Sequence, residues 1–323
     1  MAALHPTSPS TEPRTPKPER NPNPKSPRMP YLLLILTTLF WSGNFVLSRG
    51  MHAAIPPMAL SFWRWALALL ILLCLAHRRL WTQRRLVRDH ARFIALQGLL
   101  GVTGFNTLLY LAMQHTTAIN AVLVNSCIPV LIVVFSWLLY RETMRPRQCL
   151  GVLVSLVGVL SIMAKGDMAT LLQVSFNRGD LLVLAAAAVW ALYSSNLRRY
   201  PPDLHPLVYL IAITVVGLAG IVPLYLLELQ AGKTFSLNPA ALLTILYVAV
   251  FASVLAFIFW NRAVRAIGAN KAGPFVHLMP VFSTILAVLF LGETLAWHHA
   301  QGVLLICAGI VLTTFRVRKA GRL

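Results

Sequence analysis

Arg64 is the residue best suited to meeting a ligand, because it is the one charge well inside a long apolar run. It lies about seven residues from the end of that run, or roughly 10 Å deep at helical rise. An arginine at mid-bilayer costs about 2.5–3.5 kcal/mol on insertion scales, so it faces the protein interior or a wet cavity and needs a strong partner. A guanidinium meets a carboxylate through two parallel hydrogen bonds, which makes the acid group of a small metabolite one candidate partner. Backbone carbonyls around a snorkelling or helix-pinning arginine are the other.

Aromatic and amide side chains recur at similar depth: Trp41, Trp63, Tyr110, Trp190, Tyr193, Phe257 and Trp260, with Asn44, Asn106 and Asn125. Tryptophan prefers the membrane interface, so Trp41 and Trp190, about ten residues into their runs, are out of place there. A cavity wall for apolar or aromatic metabolites accounts for them, and so does packing between two halves of the chain. The asparagines either line a site or bond across helices as structural glue. His277 is the mid-run histidine, one turn before Pro280. It either titrates near neutral pH or serves as a hydrogen-bonded core group. Pro129 and Pro280 stand near the middle of their runs, where proline frees a carbonyl and kinks a helix, and both are candidate hinges.

Covalent chemistry finds no foothold. Catalysis needs acids, histidines or nucleophiles gathered in one place. Here Glu142 and Glu293 stand at run ends, and His298-His299 has no acid nearby. The cysteines Cys74, Cys127, Cys149 and Cys307 form neither a CxxC pair nor a metal-ligand spacing. No catalytic residue, cofactor or metal is expected.

The elements that position these residues follow from composition. Of 323 residues 58% are hydrophobic and only 11% charged, with mean hydropathy +0.71. A soluble domain carries about 25% charged residues, so lipid is the natural solvent. Apolar runs near the roughly 20 residues needed to cross a bilayer occur at 31–49, 57–76, 93–113, 118–139, 148–164, 181–197, 206–228, 240–261, 270–291 and 300–315. Ahead of them, residues 1–30 form a basic tail rich in Pro and Ser, too polar to fold and without the apolar core of a signal peptide. Translation could start at Met1 or at Met29. The net charge of +19 does not point to nucleic acid, because the basic residues cluster between runs. Of the 28 Lys and Arg, 23 fall in the two tails and in alternate links. Positive charge marks the cytoplasmic side, so both termini are expected there, with an even number of spans.

The chain also repeats itself. An offset of 151 pairs Ala118 with Ala269, Pro129 with Pro280, Glu142-Thr143 with Glu293-Thr294, Gly151 with Gly302 and Gly158 with Gly309. An offset of 149 pairs Trp41 with Trp190, Arg49 with Arg198 and Pro57 with Pro206. The unit, 31–164 and again 181–316 across an external link 165–180, contains five spans. An odd number inserts the second copy upside down, the arrangement of many secondary transporters. Residues 317–323 form a second basic tail.

These residues resemble the EamA family of the drug/metabolite transporter superfamily. The likeness is carried by Leu39-Phe40-Trp41-Ser42-Gly43-Asn44-Phe45, by Phe62-Trp63-Arg64-Trp65-Ala66, and by Pro129 with Glu142-Thr143. In the second half it is carried by Gly179-Asp180, Trp190-Ala191-Leu192-Tyr193, Pro280 and Gly292-Glu293-Thr294. The resemblance implies an all-α polytopic fold of ten transmembrane helices as two inverted five-helix repeats. The first four helices of each repeat would surround a central cavity, with the fifth and tenth outside it. On that arrangement Asn106 and Asn125 lie on cavity-lining spans. The implied activity is export of amino acids, other metabolites or toxic compounds. Arg64 departs from the symmetry, since its counterpart is Ile213.

The expectation is therefore an inner-membrane exporter of a bacterium, working by alternating access, with a channel, a sensor or a membrane enzyme as the alternatives. Its partners are a small-molecule substrate and the lipid bilayer, with a homodimer left open. The substrate-binding residues expected are Arg64, Trp41, Asn44, Trp63, Asn106, Tyr110, Asn125, Trp190, Tyr193, Phe257, Trp260 and His277.

Overall fold

The computed structural model describes residues 28–51, 54–116, 118–164, 167, 177–291 and 296–314. The expectations for most of the N-terminal tail, most of the link 165–180 and the C-terminal tail fall outside those residues, as does Glu293.

Ten helical spans follow one another. Span 1 is Met29–Gly50, span 2 Pro57–Thr82 and span 3 Ala91–Ala112. Span 4 is Ala118–Asn125 continued as Ile128–Tyr140, and span 5 is Pro146–Met163. Span 6 is Arg178–Asn196, span 7 Pro206–Gln230 and span 8 Pro239–Ile267. Span 9 starts as Ala269–Ala272, tightens through Gly273–His277 and continues as Leu278–Leu291; span 10 is Trp297–Thr314. Proline opens spans 2, 5, 7 and 8, where its missing N–H would have had no helical partner. Asn177 caps span 6 by accepting from Gly179 N at 2.7 Å, and Asp180 Oδ2 accepts in turn from Asn177 N at 2.8 Å. The carboxylate of Glu228, near the end of span 7, accepts from Met58 N and Ala59 N at 3.2 and 2.7 Å. It thereby sets a negative charge on the N-terminus of span 2.

The packing obeys the repeat. Span 1 packs against spans 8 and 9, and its counterpart, span 6, packs against spans 3 and 4. Span 2 packs on its own counterpart, span 7, and span 5 on span 10. In that last pair a Cβ on Gly151 would lie 2.6 Å from Gly309 O, and one on Gly158 would lie 2.7 Å from Gly302 O. Equivalent glycines meet in reversed order, so the helices run antiparallel, as inverted copies must. Both repeats also carry a stretch of π-helix, Leu99–Gly104 in span 3 and Val248–Leu255 in span 8. The two stretches start 149 residues apart, the repeat offset itself. Such stretches widen a helix by a residue and mark functional sites more often than chance.

All the links that gather Arg lie at one end of the bundle. There His205 caps span 7, its Nδ1 accepting from Leu207 N at 3.2 Å. Partial burial and then the neighbouring Arg79 guanidinium hold the imidazole below its ordinary range, which suits a neutral ring acting as acceptor.

Candidate functional site

Arg64 is 3% exposed and reaches from span 2 into the centre of the bundle. Its Nε donates to Ser253 Oγ at 2.9 Å, and Nη1 donates to Tyr110 OH at 3.2 Å and Asn106 Oδ1 at 3.4 Å. Two of the three acceptors are held by their own helices. Asn106 Nδ2 donates to Val102 O at 2.8 Å, turning Oδ1 toward the guanidinium. Ser253 Oγ donates to Val248 O, five residues back within the π stretch, leaving its lone pairs to Nε. All three partners are neutral. Among the described residues the one ion pair is Arg198 with Glu142, remote from this site. Arg64 is thus a buried cation without a carboxylate, and no described bond engages Nη2.

Beside it stands a cluster of aromatic rings drawn from both repeats. Trp41 and Trp190, equivalent by the repeat, meet edge to face with centroids 5.1 Å apart. Trp260 lies 5.4 Å from Trp41 and 5.8 Å from Trp190. Phe257 contacts Trp190 at 5.6 Å and Trp65 at 4.9 Å, and Tyr193 and Phe105 close the sides of Trp190 at 5.1 Å each. The indole N–H groups are satisfied in part: Trp41 Nε1 donates to Ala252 O at 3.2 Å and Trp260 Nε1 to Ser194 Oγ at 3.1 Å. Trp190, Tyr193, Phe257 and Trp260 are buried, and Trp41 is half-buried. The result is an apolar box with a cation at its edge.

Toward the Arg-rich end the box is sealed by a polar network. Tyr193 OH donates to Asn261 Oδ1 at 2.8 Å. Gln97 Nε2 donates to Tyr209 OH at 3.1 Å, while Asn196 Nδ2 donates to Gln97 Oε1 at 3.4 Å. Tyr140 OH donates to Asn196 Oδ1 at 2.6 Å, and Arg198 pairs with Glu142 at 2.5 Å beyond it. Five spans are joined in this way. Elsewhere Asn125 Oδ1, Thr107 Oγ1, Ser61 Oγ and Trp65 Nε1 are among the polar atoms buried without a hydrogen-bond partner. Unpaired buried polar groups cost free energy, and a ligand or water beside them would relieve it.

The structure gathers Arg64, Asn106, Tyr110, Trp41, Trp190, Tyr193, Phe257 and Trp260 at the centre. Trp63 is set apart from them. It is 41% exposed on the outer face of span 2, where its Nε1 donates to Tyr225 OH at 3.2 Å. Two residues along a helix turn a side chain to nearly the opposite face, and it is Trp65 that points inward. Asn44 is half-buried and accepts from Ser48 Oγ at 3.4 Å in its own helix. Asn125 closes the first segment of span 4. His277 lies away from the box, at the junction of spans 4, 5 and 9, bonded to Ser155 Oγ and Ser126 O. Pro129 falls in the first turn after the interruption of span 4 and Pro280 just after the tight turn of span 9, not within unbroken helices. Sequence reasoning missed Ser253 and Trp65. Ser253 had one faint signal, a hydroxyl in the middle of a long apolar run.

The arrangement can bind an organic anion: a guanidinium for the charge, an amide and a phenol beside it, and aromatic faces for an apolar body. Among the described residues no group of three or more His, Cys, Asp or Glu could hold a metal ion.

Comparison with known proteins bears on what this site serves. A model of the EamA-like transporter family matches residues 28–164 and again 177–315. An uncharacterized transporter of Bacillus subtilis, YyaM, is 26% identical over 291 residues, spanning 89% of this chain and 94% of its own. An uncharacterized transporter of Archaeoglobus fulgidus is 28% identical over 291 residues, spanning 88% and 96%. A solved crystal structure superposes on 88% of this chain and 96% of its own with a TM-score of 0.72 at 21% identity, a likeness of fold.

Proposed function

The chain belongs to the EamA-like transporter family, and from that membership we propose that it is a secondary transporter exporting small carboxylate-bearing metabolites by alternating access, amino acids and toxic analogues among them. The observation that carries the reading is the buried Arg64, with three neutral partners, no carboxylate and an aromatic box beside it. A substrate carboxylate supplies the missing counter-charge through paired hydrogen bonds, and its apolar body takes the ring faces. The conformation fits one stage of such a cycle. The sealed end is the Arg-rich one, which on our reading faces the cytoplasm of a bacterial inner membrane, a reading the distribution of positive charge supports for its orientation. The interruptions before Pro129 and Pro280 are the joints about which the repeats exchange roles.

Counterflow in proteoliposomes tests the function. Labelled L-phenylalanine outside is expected to enter vesicles preloaded with unlabelled L-phenylalanine, with saturable kinetics and acceleration by the internal substrate. Flux that neither saturates nor accelerates belongs to a channel and would falsify the reading.

Orientation has its own test. Reporters fused at Arg85, Arg199 and the C-terminus are expected to read as cytoplasmic, and reporters at Thr116, Phe176 and Lys233 as external. A cytoplasmic signal at Phe176 breaks the five-span unit, and the alternating-access proposal goes with it.

A further inference from the structure

The two interruptions meet each other. Ser126, in the gap of span 4, and His277, closing the tight turn of span 9, are 151 residues apart, the repeat offset of this part of the chain. His277 Nε2 lies 3.0 Å from Ser126 O, and Nδ1 lies 2.8 Å from Ser155 Oγ of span 5. The imidazole is 1% exposed. A contact between equivalent positions lies on the axis relating the repeats, so any motion that exchanges their roles passes through this joint.

The hydrogens of the joint can be counted. Ser126 O only accepts, so Nε2 carries a hydrogen. Ser155 has one hydroxyl hydrogen, and its Oγ also stands 2.9 Å from Val152 O, which again only accepts. With a neutral ring, Nδ1 takes the Ser155 hydrogen and the bond to Val152 is lost. With a protonated ring, Nδ1–H donates to Ser155 Oγ, Ser155 donates to Val152 O, and every contact is met at once. Binding one proton therefore swings one hydroxyl and rewires the link between spans 5 and 9, with no other bond made or broken.

Among the described contacts no other ionisable group is bonded to the ring. Ionisable groups on the elements packed around it include Cys127 beside Ser126 on span 4, Tyr31 of span 1, stacked on Phe275, and Lys271 before the tight turn. Cys149 on span 5 and Cys307 on span 10 are exposed on outer faces. Arg141 and Glu142, Arg145 and Arg147, and His298 and His299 lie at the ends of spans 4, 5 and 10. None of these is bonded to His277 in the described contacts.

We propose that His277 is a proton-binding site that couples the exchange of conformations to the pH gradient. The inference rests on the alternating-access reading for its purpose, and on the joint alone for its chemistry. The test needs no substrate. Spin labels at Arg85→Cys and Ala266→Cys, with the native cysteines changed to serine, report the separation of the two repeats in lipid nanodiscs. Between about pH 4 and 8.5 the ratio of the two separations is expected to change about tenfold, following the titration of a single group. In His277→Gln, which keeps a donor and an acceptor but no titrating ring, that dependence disappears. Ser155→Ala keeps the ring and removes its acceptor, so the midpoint falls by about one pH unit, the loss of one hydrogen bond to a charged group. A ratio that ignores pH in the unaltered protein overturns the proposal, as does a His277→Gln protein that titrates unchanged. If His277→Gln does not insert, an unshifted midpoint in Ser155→Ala overturns it. Counterflow without a pH response removes the coupling and leaves transport standing. A pH response without counterflow does the reverse.

Discussion

Arg64→Gln is expected to lower counterflow of carboxylate substrates about a hundredfold, corresponding to the roughly 3 kcal/mol lost when one partner of a buried charged pair is removed. Phenethylamine, which keeps the aromatic body of phenylalanine and lacks the acid, is expected to lose little. The geometry supports this division. Nε holds Ser253 at 2.9 Å, a normal bond, whereas Nη1 reaches Asn106 and Tyr110 at 3.4 and 3.2 Å. Bonds from a charged donor ordinarily close to about 2.7–2.9 Å, so the outer arm of the guanidinium is loosely held and free to turn to an anion. Arg64→Lys keeps the charge and loses the fork; an intermediate loss of about tenfold follows.

A purely structural arginine predicts something else. In that case Arg64→Gln unfastens span 2 from spans 3 and 8, and the protein loses thermal stability along with all substrates equally. On the binding account stability holds, since removing the charge relieves a desolvation penalty and glutamine still donates to Asn106 or Tyr110. Unfolding temperature and the phenylalanine-to-phenethylamine ratio, measured on the same preparation, separate the two. An unchanged ratio sinks the carboxylate assignment whatever the absolute rates.

Much of this was legible in the residues because lipid leaves few choices. A backbone in hydrocarbon must bond to itself, so ten apolar runs become ten helices, and the repeat offsets fix how they pair. Trp41 and Trp190 could be singled out because tryptophan belongs at an interface and these were far from one. Face was harder to read. A helix that is apolar all round carries no inside and outside in its pattern, which is why Trp63 and Trp65 could not be told apart by spacing. The π stretches defeat spacing altogether. They turn Ser253 onto the guanidinium by a bond five residues long, and nothing in Val248–Leu255 announces an extra residue in the turn. The prolines were legible as special and illegible in detail: Pro129 follows a break already made at Ser126 and Cys127, where its missing N–H does no harm.

The contact between spans 5 and 10 gives the other large effect. A Cβ on Gly158 would lie 2.7 Å from Gly302 O and 2.8 Å from Ile306 N, and one on Gly309 would lie 2.4 Å from Gly151 O and 2.5 Å from Ser155 N. These are backbone atoms and cannot rotate away, so even alanine forces the helices apart along their length. Each of Gly158→Ala and Gly309→Ala is expected to cost about 1–3 kcal/mol through overpacking, read as a lower unfolding temperature in detergent. Because both methyls wedge the same pair of helices apart, the Gly158→Ala/Gly309→Ala double variant should lose less than the two singles combined; helices already separated are not separated twice. Gly50→Ala, where nothing stands within 4 Å, is the control and should leave stability unchanged. Normal stability in Gly158→Ala would mean the spans are not in this register. Gly309→Ala carries a second consequence that Gly302→Ala does not. Its methyl would press on Ser155, 2.7 Å from Cβ, and Ser155 is the hydroxyl that His277 holds. Of the two glycines on span 10, Gly309 alone is therefore expected to shift the pH response as well as the unfolding temperature, which ties the outer helix pair to the joint between the repeats.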